Sequence, residues 1–228
     1  MIPWFAWHTI EIGPLTLQVW GLFVALGIML SFAILHSRSI ARISISEDDI
    51  FSIGFYSLIG GFLFARLAHV FWYEPAYYIE NPFEIFAFWH GGFSSFGGFF
   101  GAVFFAFMQI WRLRLFDRWR AILDEYLFAA LYGWMVGRVG CAMIHDHLGV
   151  PCSCPLAIKF PNGESRLDMA LIEIFVLIPL AVYIFFTRKR MRSGGLVSGV
   201  ILLYYGVLRL FLDFFRAKDI VGADARFF

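Results

Sequence analysis

Six long apolar stretches take up most of the 228-residue chain and constrain its fold more than any other feature. They lie at residues 16–36, 49–71, 84–110, 121–140, 169–187 and 195–215. A helix needs about 20 apolar residues to cross a bilayer. Hydrophobic residues make up 61% of the chain and charged residues 15%, whereas soluble domains average about 45–50% and about 25%. We therefore exclude a disordered chain, a nucleic-acid-binding protein and an ordinary soluble enzyme, and predict an all-α integral membrane protein with six transmembrane helices in a single domain over residues 1–228.

The basic residues between the apolar stretches set the predicted orientation. They concentrate in the links at 37–48, 111–120 and 188–192, and the positive-inside rule places such links in the cytoplasm. The N-terminus and the links at 72–83 and 141–167 then face outward, where Trp4, Trp7, Trp72 and Trp89 fit an aromatic belt. Residues 1–5 carry no basic side chain, so we expect no cleavable signal peptide.

Charged side chains inside the apolar stretches are the first functional signal, because ionisable residues are costly within a membrane and mark functional sites. Arg66, Arg138, Glu173 and Arg209 all fall toward the outer half of their stretches. We expect them to line one outward-facing polar chamber, since guanidinium groups grip phosphate in a bidentate way and a phospholipid headgroup is an anion present there. The alternative is structural pairing of each arginine with a carboxylate, for example Arg209 with Asp213 at i, i+4.

Glycines interrupt the third apolar stretch, which reads FWHGGFSSFGGFFGA from residue 88. Glycine destabilises a helix interior by up to about 1 kcal/mol relative to alanine. Irregular backbone at membrane depth has to line protein or water. We therefore predict a broken, re-entrant segment beside a cavity. The alternative is that the glycines allow two helices to pack closely.

The outer link at 141–167 and the end of the span before it hold the densest polar chemistry. Arg138 followed by Gly140 fits a helix end that opens onto an anion. The sequence His145-Asp146-His147 offers a general base. These histidines together with Cys152 and Cys154 suggest a zinc site. Their spacing, however, matches no strong zinc pattern, and we predict no metal. A Cys152–Cys154 bridge is strained, which leaves open a disulfide from Cys141 to either.

Five groups of residues follow one another in a recognisable order. They are Ile12-Gly13-Pro14 with Trp20-Gly21-Leu22, Ala65-Arg66-Leu67, Pro82 with Gly91-Gly92-Phe93-Ser94 and Gly97-Gly98, Gly137-Arg138-Val139-Gly140 with Gly149, and, after Glu173, Tyr204-Tyr205-Gly206-Val207-Leu208-Arg209 with Asp213, Arg216 and Asp219. Together they resemble the motifs of the bacterial prolipoprotein diacylglyceryl transferase family.

The resemblance implies a transferase that moves the diacylglyceryl group of phosphatidylglycerol to the lipobox cysteine thiol of a secreted preprotein and releases glycerol 1-phosphate. The implied partners are phosphatidylglycerol, the preprotein and membrane lipids, with no cofactor and no nucleic acid. The implied location is the bacterial inner membrane, with the N-terminus and the active site facing outward. The family normally continues into a seventh helix, and the sequence leaves two alternatives open: a final span that is missing after residue 228, or a natively short chain.

The resemblance also assigns roles to individual residues. Arg138 and Arg209 match the family arginines that hold the lipid phosphate, and Arg209 is also expected to act in catalysis. Further lipid contacts are expected from Arg66, Gly140, Gly149 and Ser94. Supporting roles are expected for Glu173, Asp213, Tyr205, Arg216, Cys141 and Trp20.

Several positions depart from the family pattern. The family has histidine where this chain has Phe96, tyrosine at Trp20 and asparagine at Cys141, and its Asn-Gly-Glu stretch reads Ile144-His145-Asp146, followed by His147. The histidine replaced by Phe96 is a commonly proposed base. We therefore hypothesise that His145 or His147 takes over as the base, with Asp146 orienting one of them or keeping the acidic function. The rewritten acceptor side leaves two alternatives open: another acceptor with the same lipid donor, or a non-catalytic phospholipid-binding relative.

Overall fold

The computed structural model describes residues 1–13, 15–43, 45–87, 91–191 and 194–217. Its described residues fall into two compact units, one built from residues 1–43 with 120–217 and one from residues 45–119. Three motif residues, Pro14, Trp89 and Asp219, lie outside the described residues.

The described residues form seven α-helices. In chain order these are α1 (Val19–Ile43), α2 (Glu47–Ala68), α3 (Pro75–Glu80), α4 (Ser95–Arg112), α5 (Trp119–Ile144), α6 (Met169–Thr187) and α7 (Leu196–Asp213). Within this part of the chain, five segments are long and apolar enough to cross a membrane: Val19–Ser37, Glu47–Tyr73, Phe116–Ile144, Met169–Thr187 and Leu196–Asp213. The predicted all-α membrane fold is confirmed, while the count of six spans stays a prediction.

The third apolar stretch, 84–110, is not helical throughout, and its predicted start is wrong. Pro82–Phe86 forms a 3₁₀ turn, and α4 begins only at Ser95, with the Ser94 hydroxyl accepting a hydrogen bond from the Gly97 N–H at 3.2 Å. Gly91 and Gly92 have φ of 80° and 77°, a left-handed conformation that glycine adopts without steric cost. The break therefore lies upstream of the helix.

The later glycines of that stretch serve helix packing. Gly97 and Gly101 lie inside α4, where a Cβ on Gly97 would collide with Ala68 and one on Gly101 with the Gly60 carbonyl oxygen. Small residues of this kind let helix backbones approach closely in a membrane. The packing alternative thus explains these two positions, and a re-entrant path for the whole segment stays a prediction.

In the first unit, α1 and α5 also meet through glycines. A Cβ on Gly27 would collide with the Gly133 carbonyl oxygen, and the Ser31 hydroxyl donates to the Gly27 and Ala129 carbonyls at 2.9 and 3.2 Å. The apolar core of the unit lies where α5, α6 and α7 face one another, around Leu177 and Ile184, both fully buried.

Short strands accompany the helices, and sequence analysis did not predict them. They are β1 (Ile2–Pro3), β2 (Thr9–Ile12), β3 (Leu15–Gln18), β4 (Leu148–Pro151), β5 (Ala157–Lys159) and β6 (Ser165–Asp168). Strands β2 and β3 form an antiparallel hairpin, and the others form a sheet in the order β1-β5-β6-β4 with β1 parallel to β5. The predicted outer link at 141–167 therefore contains three short strands, and its first residues still belong to α5.

The disulfide from Cys141 that the sequence left open is not formed. Cys152 pairs with Cys154, across a Cα–Cα distance of 5.4 Å that lies in the usual range for a disulfide. Cys141 is a buried free thiol in α5 and packs beside Ala170 of α6. Its place in this helix–helix contact explains why it does not bridge to the link.

Candidate functional site

Glu173 is the centre of a polar cluster inside the helices of the first unit. It lies one turn into α6 and is 1% exposed. Its Oε1 atom accepts hydrogen bonds from Trp134 Nε1 at 2.8 Å and from the Tyr205 hydroxyl at 3.1 Å. Because these donors come from α5 and α7, one carboxylate joins three helices. A buried carboxylate needs such partners, since an unpaired charge in an apolar interior is very costly.

Arg138 approaches the same carboxylate from α5. Its Nε atom lies 3.1 Å from Glu173 Oε1, and its side chain is 10% exposed. The guanidinium stacks over the Trp134 ring at 4.7 Å from the centroid, as expected for residues four apart on one helix face. One terminal nitrogen lies 3.9 Å from Cys141 Sγ. Arg138 thus contacts the central carboxylate, an aromatic face and the free thiol.

Arg209 approaches from α7 and is more open. Its NH1 atom lies 3.9 Å from Glu173 Oε2, and its Nε lies 3.6 Å from Asp213 Oδ1, with 32% of the side chain exposed. The predicted i, i+4 pair with Asp213 is therefore confirmed. Asp213 also pairs with Arg216, whose Nε lies 3.1 Å from Asp213 Oδ1.

Among the described residues, Arg138, Arg209 and Arg216 share two carboxylates, Glu173 and Asp213, so the cluster holds one more positive than negative side chain. An arginine side chain keeps its charge in proteins, so deprotonation does not relieve the imbalance. A partly exposed guanidinium with spare donors suits an anion that binds in two parallel hydrogen bonds. An anion site at this cluster, within helices long and apolar enough to span a membrane, stays a prediction.

The two predicted glycines of the site serve close packing. A Cβ on Gly140 would lie 2.7 Å from the Cβ of Phe23 in α1, and one on Gly149 would lie 2.8 Å from the Phe215 carbonyl oxygen. Trp20, the predicted neighbour in α1, is 46% exposed, and its Cα lies 3.4 Å from the position of a Cβ on Gly140. These residues shape the helix contacts beside Arg138.

His145, one of the two predicted bases, is enclosed. It ends α5 with φ of 53°, and its Nδ1 lies 2.6 Å from Asp168 Oδ2, with both side chains 1% exposed. The rings of Trp4 and Phe5 pack against it at 4.9 and 4.8 Å. The carboxylate beside this histidine is Asp168, whose other oxygen accepts a hydrogen bond from Leu171 N at the start of α6.

Sequence reasoning missed Asp168, although one signal for it was available. An aspartate directly before an apolar helix is typical of an N-cap, and Asp168 precedes Met169 in this way. Its second role as the histidine partner depends on the fold, because the two residues are 23 positions apart.

His147, the other predicted base, lies beside Asp146. The His147 Nε2 atom is 3.7 Å from Asp146 Oδ1, and the two side chains are 26% and 30% exposed. Cys141 joins them: one potential ligand atom from each of the three residues lies within 4.8 Å of the other two. Of the two histidines, His147 is therefore the more accessible, and Asp146 is placed to orient this one.

Arg66 and Ser94, both predicted lipid contacts, belong to the second unit. The Arg66 guanidinium donates to the backbone carbonyls of Glu84, Ile85, Ala87, Gly91 and Gly92. It also faces the Tyr78 ring at 5.3 Å. These contacts hold the chain that leads into α4, where Ser94 caps the helix. Both side chains are buried within this unit, and a lipid contact for either stays a prediction.

The fold is that of a multi-span helical membrane protein, and its candidate spans carry a cluster of buried arginine and glutamate side chains. The chain belongs to the prolipoprotein diacylglyceryl transferase family, whose family model matches residues 8–227. It is 34% identical over 220 residues to a phosphatidylglycerol–prolipoprotein diacylglyceryl transferase of Nitrosospira multiformis, covering 92% of this chain and 74% of that one. The transferase of Nitrosomonas europaea is 33% identical over 229 residues, covering 95% and 79%. That of Bordetella parapertussis is 30% identical over 216 residues, covering 92% and 82%.

Proposed function

We propose that this chain is a membrane transferase that moves the diacylglyceryl group of phosphatidylglycerol to a lipobox cysteine thiol of a prolipoprotein and releases glycerol 1-phosphate. Family membership and the names of its relatives support the reaction. The observation that carries it on this chain is the pair of arginines, Arg138 and Arg209, on one buried carboxylate. No other cluster among the described residues combines intramembrane burial with this excess of guanidinium charge.

The two arginines have complementary roles in this proposal. Arg209, one third exposed, meets the lipid phosphate first, and Arg138 sits deeper against Glu173. The acceptor sulfur forms a bond to a glycerol carbon while the bond from that carbon to the phosphate oxygen breaks. The electron pair stays on the phosphate oxygen, where charge grows in the transition state. Fixed cations aimed at that oxygen lower the barrier because they need no reorganisation during the reaction.

In this proposal the acceptor thiol binds next to Cys141, Asp146 and His147. A thiol has to lose its proton before it attacks, because the thiolate is the nucleophile. His147 is accessible and lies beside Asp146, whereas His145 is enclosed and bonded to Asp168. We therefore favour the side of His147 over that of His145 for removal of the thiol proton, and give His145 the role of fixing the turn that carries Asp146 and His147.

We also propose that the protein resides in the bacterial inner membrane with this site facing outward. The basic links at 111–120 and 188–192 support that orientation, since such links stay in the cytoplasm. Glu173 and Arg138 lie at the opposite ends of their helices from these links. A lipobox cysteine reaches the same outer side when the preprotein is secreted.

A different acceptor with the same lipid donor is the second candidate. The observation that favours it is the changed acceptor side, with Cys141, Asp146 and His147 where the family has other residues and Phe96 in place of histidine. Phe96 is 71% exposed on α4 and has no titratable group. The donor side retains both arginines, so a change of acceptor leaves the lipid chemistry intact.

The test uses purified protein in micelles that contain phosphatidylglycerol, together with a lipobox peptide and its Cys→Ser control. Mass spectrometry follows the diacylglyceryl adduct and free glycerol phosphate. We expect both products with the cysteine peptide and no adduct with the serine peptide. Glycerol phosphate without an adduct would favour another acceptor. Neither product, with phosphatidylglycerol still bound, would indicate a binding protein and contradict the proposal.

A further inference from the structure

Three side chains with metal-binding atoms meet at the end of α5. They are Cys141 in the last turn of the helix and Asp146 and His147 just beyond it, and their ligand atoms lie within 4.8 Å of one another. The chain returns over the helix end because His145 takes up a left-handed conformation with φ of 53°. That turn brings residues five and six positions after Cys141 back to its thiol.

The surrounding structure holds this arrangement from both sides. The His145 N–H donates to the Cys141 carbonyl at 3.0 Å, and the His147 carbonyl accepts from Met169 N at 2.9 Å. His145 is further fixed by the buried hydrogen bond between its Nδ1 and Asp168 Oδ2 at 2.6 Å. A metal site works when its ligands are held in place by such supporting contacts rather than by the metal alone.

The chemistry of the three donors selects the metal. A thiolate, an imidazole and a carboxylate form a borderline-soft set that suits zinc, whereas magnesium and calcium prefer oxygen alone. Zinc bond lengths place neighbouring ligands of one tetrahedral ion about 3–4 Å apart. His147 Nε2 and Asp146 Oδ1 already lie 3.7 Å apart. Cys152 and Cys154 are bonded to each other, so the set is not the His-x-His and Cys-x-Cys combination considered from the sequence.

We propose that Cys141, Asp146 and His147 bind one zinc ion. Three protein ligands leave the fourth position of the tetrahedron open, as in catalytic zinc sites. This assignment contradicts our sequence-based expectation that no metal binds. Arg138 lies 3.9 Å from Cys141 Sγ, so the proposed zinc site adjoins the Arg138–Glu173 contact.

The open position takes the acceptor thiol, an extension that rests on the proposed function. The thiol binds zinc as a thiolate and gives its proton to water. The sulfur then forms the bond to the glycerol carbon as the carbon–oxygen bond to phosphate breaks, and the metal position is free again when the thioether leaves. In this arrangement His147 acts as a ligand, and zinc supplies the deprotonation that the missing histidine at position 96 does not.

Metal analysis of the full-length protein in detergent tests the site without any assay of activity. After treatment with a chelator and dialysis against zinc, we expect about one zinc ion per chain. Cys141→Ser, Asp146→Asn and His147→Gln should each weaken zinc binding by at least about tenfold. His8→Gln is the matched control, because this histidine is exposed and lies outside the cluster. Less than a tenth of a zinc ion per chain, or undiminished binding in Cys141→Ser, overturns the proposal.

A second measurement on the unaltered chain covers the case in which a variant fails to fold. Cobalt in place of zinc should give the near-ultraviolet charge-transfer band of a thiolate–cobalt bond, and Cys141 is the one free thiol among the three cysteines, all of which are described. Bound cobalt without that band excludes Cys141 as a ligand and overturns the site. Zinc binding with no transfer to the peptide leaves the site standing and contradicts the proposed function instead.

Discussion

Two buried arginine–glutamate contacts in the first unit differ in charge balance and in exposure. The difference distinguishes a contact that stabilises the fold from one that we propose binds the lipid. In the first, which we term the closed pair, Arg188 NH2 lies 3.2 Å from Glu125 Oε2, and the side chains are 6% and 3% exposed. The Arg188 guanidinium also lies 3.7 Å from the centre of the Phe128 ring. In the second, Glu173 is shared by Arg138 and Arg209, and 32% of Arg209 is exposed.

The difference lies in charge balance and access. The closed pair matches one cation with one anion, and the neighbouring Asp124 accepts hydrogen bonds from Gly195 N and Ser198 N at the start of α7. These contacts tie α5 to the α6–α7 connection. Among the described residues, the Glu173 cluster has three guanidiniums for two carboxylates, Glu173 and Asp213, and 32% of the Arg209 side chain is exposed. A buried ion pair by itself is weak evidence of function, whereas surplus charge with an open side is much stronger.

The largest expected effect comes from removing either carboxylate. Glu125→Gln and Glu173→Gln each leave a buried guanidinium without its counter-charge, which costs about 3–5 kcal/mol of unfolding free energy. Unfolding of both variants in detergent, followed by circular dichroism, measures that loss. The two variants should differ in transfer activity per folded molecule. This activity should be retained in Glu125→Gln and fall in Glu173→Gln. Equal activity of the two would remove the functional distinction.

Arg138→Ala should lower transfer by about 10²–10³-fold, the usual effect of deleting one donor that stabilises transition-state charge. Release of glycerol phosphate per folded molecule is the measurement. Arg138→Lys keeps the charge but loses the planar guanidinium, so its activity should lie between that of the unaltered protein and that of Arg138→Ala. Arg188→Lys is the matched control in the closed pair and should leave transfer unchanged. Wild-type turnover in Arg138→Ala would contradict the phosphate site.

Asp124→Ala should destabilise the protein by about 1–2 kcal/mol, because the side chain caps the first turn of α7. A shift of the thermal midpoint in detergent reports this loss. We expect the affinity for phosphatidylglycerol micelles to stay within twofold of that of the unaltered protein. A much larger fall in that affinity would show that the start of α7 also contributes to lipid binding.

The smallest effect is expected at Asp213, which is half exposed. Asp213→Asn removes a partly screened partner of Arg209 and Arg216, so stability should change by no more than about 1 kcal/mol. Because the variant leaves more of the Arg209 charge for an anion, phosphatidylglycerol binding should become slightly tighter. Titration of the variant and the unaltered protein with anionic and with neutral vesicles measures the change in affinity. Weaker binding of anionic vesicles by the variant would indicate that Asp213 mainly orients the Arg209 side chain rather than neutralising its charge.

The central cluster was predictable because its charges lie within apolar stretches. Arg138, Glu173 and Arg209 stood out in the sequence for that reason, and the Arg209–Asp213 pair follows from helix periodicity. Trp134 did not stand out, although it donates to Glu173, because an indole in an apolar span looks like an ordinary membrane residue. Its role depends on which face of α5 meets α6.

Other parts of the structure were out of reach of local sequence patterns. The pairing of His145 with Asp168 joins two positions across the sheet of the outer link. Strands of two to four residues are too short to show a clear alternation of apolar and polar side chains. The Arg66 contacts depend on the path of the backbone before α4, where Gly91 and Gly92 take up left-handed conformations. Hydropathy shows where the chain is apolar, but it does not show in which direction the backbone carbonyl groups point.

The end of α7 is joined to β4 by backbone hydrogen bonds. Val150 N donates to the Phe215 carbonyl at 2.9 Å, and Ala217 N donates to the Leu148 carbonyl at 3.2 Å. The segment that follows His147 is therefore hydrogen-bonded to the segment that follows Arg209. Thermodynamic linkage is reciprocal, so if an acceptor at His147 shifts this connection and tightens the grip on the lipid phosphate, the bound lipid must tighten the grip on the acceptor by the same factor. Cooperative binding of the two substrates then needs no moving lid.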